Sequence, residues 1–161
     1  MIRSVWAVLC EKVIEDKNSQ NTSLIEALHR IAVIVPPNFD FASELPIQSN
    51  YTCGTLWFNE GDQDGVFLIS MTIVSPLGIK TDKAVYEVEV KAGAFWKWFI
   101  RVHSLLLTGP GIYKFVFRAK EKGKGRWKHS ATIPLAVEYK VHEKAYLVEV
   151  NLPLSDTDEA T

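Results

Sequence analysis

Apolar and polar residues alternate with a period of two along most of the chain, the spacing that places every second side chain on one face of a β-strand. Between Val66 and Ile73 one parity holds Phe67, Ile69, Met71 and Ile73, and the other mixes Val66 and Leu68 with Ser70 and Thr72. From Ala84 to Val90, Ala84, Tyr86, Val88 and Val90 share a face against Val85, Glu87 and Glu89. From Phe95 to Leu106, Trp96, Trp98, Ile100, Val102 and Leu106 face one way and Lys97, Arg101 and His103 the other. Gly93 marks the turn between the last two runs.

The sharpest hairpin signal comes later. Ile112 to Ala119 and Arg126 to Leu135 flank Glu121-Lys-Gly-Lys-Gly125, whose glycines supply the positive φ angles of a tight reversal. With Lys120 paired to Arg126, the residues Tyr113, Phe115, Phe117 and Ala119 share a core face with Trp127, His129, Ala131 and Ile133. Lys114, Arg118, Arg126 and Lys128 then share the opposite face, with Arg118 across from Lys128. Upstream, Arg3 to Val13 and Thr22 to Ile34 bracket the polar reversal Asp16 to Asn21. The second arm reads as a strand, although Leu24, Leu28 and Ile31 also fit helical spacing. Pro36, Pro37 and Pro46 mark residues 36–51 as a long loop crossing between layers.

Many short strands joined by turns, with no helical run between them, predict an all-β fold: an antiparallel two-layer β-sandwich, immunoglobulin-like or C2-like. Tyr113 follows the corner Gly109-Pro-Gly111 at a strand start, the place a tyrosine corner occupies in such sandwiches. Residues 1–153 read as one domain and 154–161 as a disordered acidic tail.

Composition narrows the function classes. Of 161 residues, 47% are hydrophobic, enough for a real core, and the formal charge of −1 gives no global pull toward nucleic acid or anionic lipid. The apolar run before Glu11 is too short for a signal peptide, and Lys97, Arg101 and His103 break the longest candidate membrane span. A cytoplasmic location is the expectation, with Cys10 and Cys53 as small buried hydrophobes.

Several segments together resemble a family of uncharacterised bacterial β-sandwich proteins of similar size, a domain of unknown function. They are Leu9-Cys10-Glu11, Ser23-Leu24-Ile25, the Pro36-Pro37 loop leading to Gly54-Thr-Leu-Trp57, Gly109 to Phe115, and Trp127 to Leu135. The resemblance implies the sandwich fold and carries over no catalytic residue. Lys140 to Leu152 lies beyond it and adds an edge strand through Tyr146, Val148 and Val150.

The sequence holds no nucleophile elbow, phosphate loop, dinucleotide fingerprint or zinc-binding histidine pair, and it calls for no cofactor and no catalytic residues. Glu60, Asp62 and Asp64 crowd a Gly-flanked loop, a metal-binding reading set against an ordinary turn rich in Asp and Gly. No Lys or Arg occurs between Ile31 and Ile79, whereas Lys114 to Lys128 carries seven, so separate acidic and basic regions are expected. The four residues Lys114, Arg118, Arg126 and Lys128 form a candidate anion-binding patch, weighed against charges that only keep a sheet edge soluble. The five Trp could floor a sugar site but are assigned to the core. The leading reading is a non-catalytic interaction or scaffold module working through charged surfaces and sheet edges, with itself or with a protein partner. The alternative is a binding domain for an anionic polymer, nucleic acid included, or a membrane surface, and an enzyme comes third.

Overall fold

The alternating segments pair into two sheets that press their apolar parities together. The computed structural model describes residues 1–142 other than Gln20 and Ala42, and among these residues there are nine strands and no helix. They are β1 (Ile2–Glu15), β2 (Thr22–Ala27), β3 (Arg30–Val35), β4 (Leu45–Asn59), β5 (Gly65–Val74), β6 (Lys80–Val90), β7 (Phe95–Leu107), β8 (Gly111–Glu121) and β9 (Lys128–Val141). Sheet A has the order β2-β1-β4-β7 and sheet B the order β3-β9-β8-β5-β6. Every pairing is antiparallel except β3 with β9, which is parallel. The molecule is a β-sandwich. The expected strand through Tyr146, Val148 and Val150 and the acidic tail lie outside the described residues.

Inner faces meet over Trp57 from sheet A and Tyr113, Phe115 and Phe117 from sheet B, all fully buried. The Trp57 indole N–H donates to Thr55 Oγ1 at 2.8 Å, and that hydroxyl donates to the Trp98 carbonyl at 3.3 Å, so the polar edge of the largest core side chain is satisfied. Along the β6 and β7 edges, Tyr86 stacks on Trp96 at 5.6 Å between centroids, and Trp98 meets Phe117 edge-on.

Residues 22–34, read as one strand, fall in two, β2 and β3, which belong to different sheets. Leu28 N–H donates to the Leu9 carbonyl in sheet A at 2.7 Å, while the next residue's carbonyl, His29, accepts from Ala136 N–H in sheet B at 2.9 Å. The chain changes layer between these two bonds. Glu26, just before the change, has φ 56°, a left-handed value that a non-glycine residue adopts at a cost.

The expected loop over 36–51 is shorter than the prolines imply, because β4 begins at Leu45. Pro46 is tolerated there because β4 has β7 alone as a neighbour until Thr52, where its ladder with β1 begins. The remaining loop folds back on the sandwich, with Phe41 stacked against Tyr139 and Phe39 edge-on to it. In β7 the alternation slips after His103 and Ser104, both exposed, so Leu105 and Leu107 point into the core instead of Leu106.

The far half of β1 leaves sheet A with β2 and forms an arm. Lys97 lies on the outer face of β7, opposite Leu56, which in turn pairs with Trp6. Its ammonium nonetheless donates to Thr22 Oγ1 at 2.6 Å and pairs with Glu15 at 3.7 Å, residues at the tip of the β1–β2 hairpin. The arm therefore curls over the outer face of sheet A. Cys10 and Cys53 are free and buried on neighbouring strands in successive registers, Leu9 with Cys53 and Cys10 with Thr52, so their side chains leave on opposite faces. Burial pushes the Cys53 thiol up to about 12.

Tyr113 forms the corner its position predicts. Its hydroxyl accepts from Thr108 N–H at 2.7 Å and donates to the Gly109 carbonyl at 2.9 Å, both buried. Tyr113→Phe keeps the ring and strands both backbone groups, so it should cost about 1–3 kcal/mol and lower Tm by several degrees. Thermal unfolding checks this, and an unchanged Tm would mean that the corner bonds add nothing.

Candidate functional site

The β8–β9 hairpin places its charges differently from a regular ladder. From Gly111↔Val137 to Phe117↔Ala131 the strands keep one register, and then the pairing shifts to Arg118↔His129 and Ala119↔Lys128. Ser130 is the extra residue of a β-bulge. The bulge reverses which side chains of β9 face inward below Ala131. Trp127, assigned to the core, is half-buried at the surface with the Lys120 ammonium 5.2 Å from its ring centroid, and His129 is exposed with Nε2 2.8 Å from Thr132 Oγ1. The pairing of Arg118 with Lys128 is likewise corrected, since Arg118 stands opposite His129.

The bulge also joins the two layers. Ser130 Oγ accepts from Ser4 N–H at 2.8 Å, in a part of β1 that itself shifts register between Ser4 and Trp6. Below this bond the sheets part into a groove of about 510 Å³ at the end of the sandwich. Its floor is made of core residues whose inner faces reach the opening: Ile2, Phe67 and Ala119. One wall is the start of β1, from Met1 to Ser4, and the other is the β8–β9 turn with Lys120, Lys124, Arg126 and Lys128.

The candidate patch of Lys114, Arg118, Arg126 and Lys128 is thus divided. All four are exposed, but only Arg126 and Lys128 line the groove, while Lys114 and Arg118 lie on the outer face of β8 opposite Val74 and Ser70. Three cations outside the candidate set line it as well: Arg3, Lys120 and Lys124. Some are already engaged, Lys124 with Glu121 at 3.0 Å and Arg3 with Glu60. Arg126 and Lys128 form no ion pair among the described residues, and the Lys128 ammonium lies 3.6 Å from Met1 Sδ.

The acidic loop sits beside this groove, not at a distant pole. Glu60 N–H donates to the Met1 carbonyl at 2.8 Å, and its carboxylate faces Arg3. Asp64 Oδ1 accepts from Ala92 N–H at 2.8 Å. The buried Asn59 amide donates to the carbonyls of Gln63, Val90 and Lys91, which ties the loop to the start of the β6–β7 turn. Glu60, Asp62 and Asp64 are not gathered around a common centre, and among the described residues no three His, Cys, Asp or Glu are placed to hold a metal ion. The expectation of separate acidic and basic regions gives way to an interleaved end. Of the five Trp, Trp57 is fully buried and the other four are half-buried, Trp96 and Trp98 in the edge stack.

No protein-family model matches the chain and no curated protein does, so the resemblance drawn from Gly109–Phe115 and its companion segments stands on those residues alone. Among solved structures, the chain is similar to a family 123 glycoside hydrolase from Clostridium perfringens at 8% identity and a TM-score of 0.38, over 88% of this chain and 28% of that one. It is also similar to the N-terminal domain of PorA at 10% identity and a TM-score of 0.27, over 84% of this chain and 98% of that one. Similarity at this level bears on no activity.

The two placements of tryptophan give a direct test of the bulge. Trp57→Ala should cost about 3–5 kcal/mol, as for a large buried side chain, whereas Trp127→Ala should cost about 1 kcal/mol, the scale of a surface cation–π contact. Chemical denaturation of both variants measures the difference, and equal losses would return Trp127 to the core.

Proposed function

We propose that this domain is a non-catalytic interaction module that binds an acidic, partly apolar segment of a partner protein in the groove between β1 and the β8–β9 turn. The observation that carries this reading is the meeting of two unpaired cations, Arg126 and Lys128, with an apolar floor of Ile2, Phe67 and Ala119. A polyphosphate has no use for such a floor, while a peptide with alternating acidic and apolar side chains engages both. The neighbouring strand edges suit the same occupant. Among the described residues, no strand pairs with β1 over 2–8 on the side away from β4, where Ser4 N–H is held by Ser130 Oγ, and extended peptides bind such edges through backbone hydrogen bonds.

The cations are exposed, so their contribution is electrostatic, largely screened by salt, and expressed in the rate of encounter as well as in affinity. Glu60 and Glu121 already neutralise Arg3 and Lys124, which leaves fewer free cations for a long uniform polyanion and favours short acidic segments.

A fluorescein-labelled peptide of alternating Glu and Leu, followed by anisotropy, tests the assignment. The pair Arg126→Glu and Lys128→Glu should lower affinity by about tenfold or more, and the loss should shrink at high salt. The pair Lys114→Glu and Arg118→Glu makes the same change in net charge outside the groove and should alter affinity by less than about threefold. Circular dichroism confirms that both variants fold. Equal weakening by the two pairs, or tighter binding to heparin or anionic vesicles than to the peptide, would overturn the reading.

A further inference from the structure

A second concavity lies beneath the β1–β2 arm. Where the arm curls over the outer face of sheet A it overhangs an open concavity of about 790 Å³, within the size range of small-molecule sites. The floor is β4 and β7, through Thr52, Phe99 and Arg101, and the roof is the arm, through Glu11, Lys12 and Glu15. Gly54 makes the floor flat: a Cβ there would lie 3.1 Å from the Phe99 ring and 3.4 Å from Trp6, so the absence of a side chain lets both rings settle over the strand. The Lys97 bonds to Thr22 and Glu15 hold the arm's tip down.

The charges lining this space have both signs. Lys12 and Arg101 form no ion pair among the described residues. Glu11 is set against Glu26 on the neighbouring strand, and the hydrogen bond and repulsion between the two carboxyls raise the Glu11 pKa above its ordinary value. An anion alone meets Glu11 and Glu15, and a cation alone meets Lys12 and Arg101. A ligand bearing both charges satisfies each wall, its carboxylate on the planar Arg101 fork and its ammonium against the crowded Glu11 carboxylate, which an added positive charge relieves. Phe99 offers a ring face to whatever apolar group lies between.

We propose that the space beneath the arm is a binding site for a small zwitterion with an apolar body, the class of the α-amino acids. The site is separate from the groove in residues and in face, and neither reading rests on the other.

The test uses ¹H–¹⁵N spectra of the whole chain titrated with L-phenylalanine, and in parallel with phenylethylamine and 3-phenylpropionate, which each lack one charge. L-Phenylalanine should shift the amides of Thr52, Phe99 and Lys12, and each single-charge analogue should bind at least about tenfold more weakly, the scale of one lost charge-assisted hydrogen bond. Arg101→Met and Glu11→Gln, both at exposed positions, should each weaken the amino acid by about tenfold. Arg126→Glu with Lys128→Glu should leave its binding unchanged, which distinguishes this site from the groove. No shift at Thr52 and Phe99 up to about 10 mM ligand would overturn the proposal. So would analogues that bind as well as the amino acid, or an Arg101→Met protein that binds like the parent.

Discussion

Two backbone hydrogen bonds, one residue apart, determine how far each layer of this sandwich is covered. Leu28 N–H binds sheet A and the His29 carbonyl binds sheet B, so a single stretch of chain closes one side of both sheets and then has no residues left to close the rest. β2 reaches only Cys10 to Glu15 of β1, and β3 reaches only Ala136 to Val141 of β9. The halves of β1 and β9 beyond the crossing have no strand neighbour on that side among the described residues. The groove opens at this uncovered end, and the arm departs at the covered one.

Uncovered strand edges invite unselective pairing, and the two edges here are treated differently. In β9, Ala136 N–H points toward β3, and the period of two turns position 134 the same way. Pro134 has no N–H to offer there, which blunts the β9 edge. The β1 edge carries no proline, its register is shifted near Ser4, and its start forms a wall of the groove. On the proposed reading, β1 is the edge left for a partner strand, next to Arg126 and Lys128. The interleaving of Glu60 with Arg3 at this end keeps the local field mixed.

The binary pattern carried the layers and the core, because Phe67, Ile69, Met71 and Ile73 or Tyr113, Phe115 and Phe117 alternate without interruption and are buried as that alternation requires. It failed where an extra residue enters a strand, since a bulge moves every later side chain to the other face. The signal was present in the polar runs. Lys128-His-Ser130 places three polar residues in succession where a half-buried strand needs an apolar one, and His103-Ser104 does the same with two. Each marks a point where parity changes, which leaves Trp127 outside the core and Leu105 within it. Lys124 escapes a patch defined by strand parity because it lies in the turn, whereas Lys120, within β8, shares the parity of Lys114 and Arg118 and reaches the groove from the end of the strand. The cleft beneath the arm had no local signature at all: it depends on Lys97 reaching Thr22 across 75 positions of sequence.

The role of the groove is decided by where an acidic segment lands on the sandwich. Chemical-shift mapping of the ¹⁵N-labelled chain with the alternating Glu and Leu peptide locates it residue by residue. The largest changes should fall on Ile2, Ser4, Gly125, Lys128 and Ser130, with Lys114 and Arg118 unmoved. Changes centred on Lys114 and Arg118, or spread evenly over every basic residue, would contradict a groove built by the bulge at Ser130.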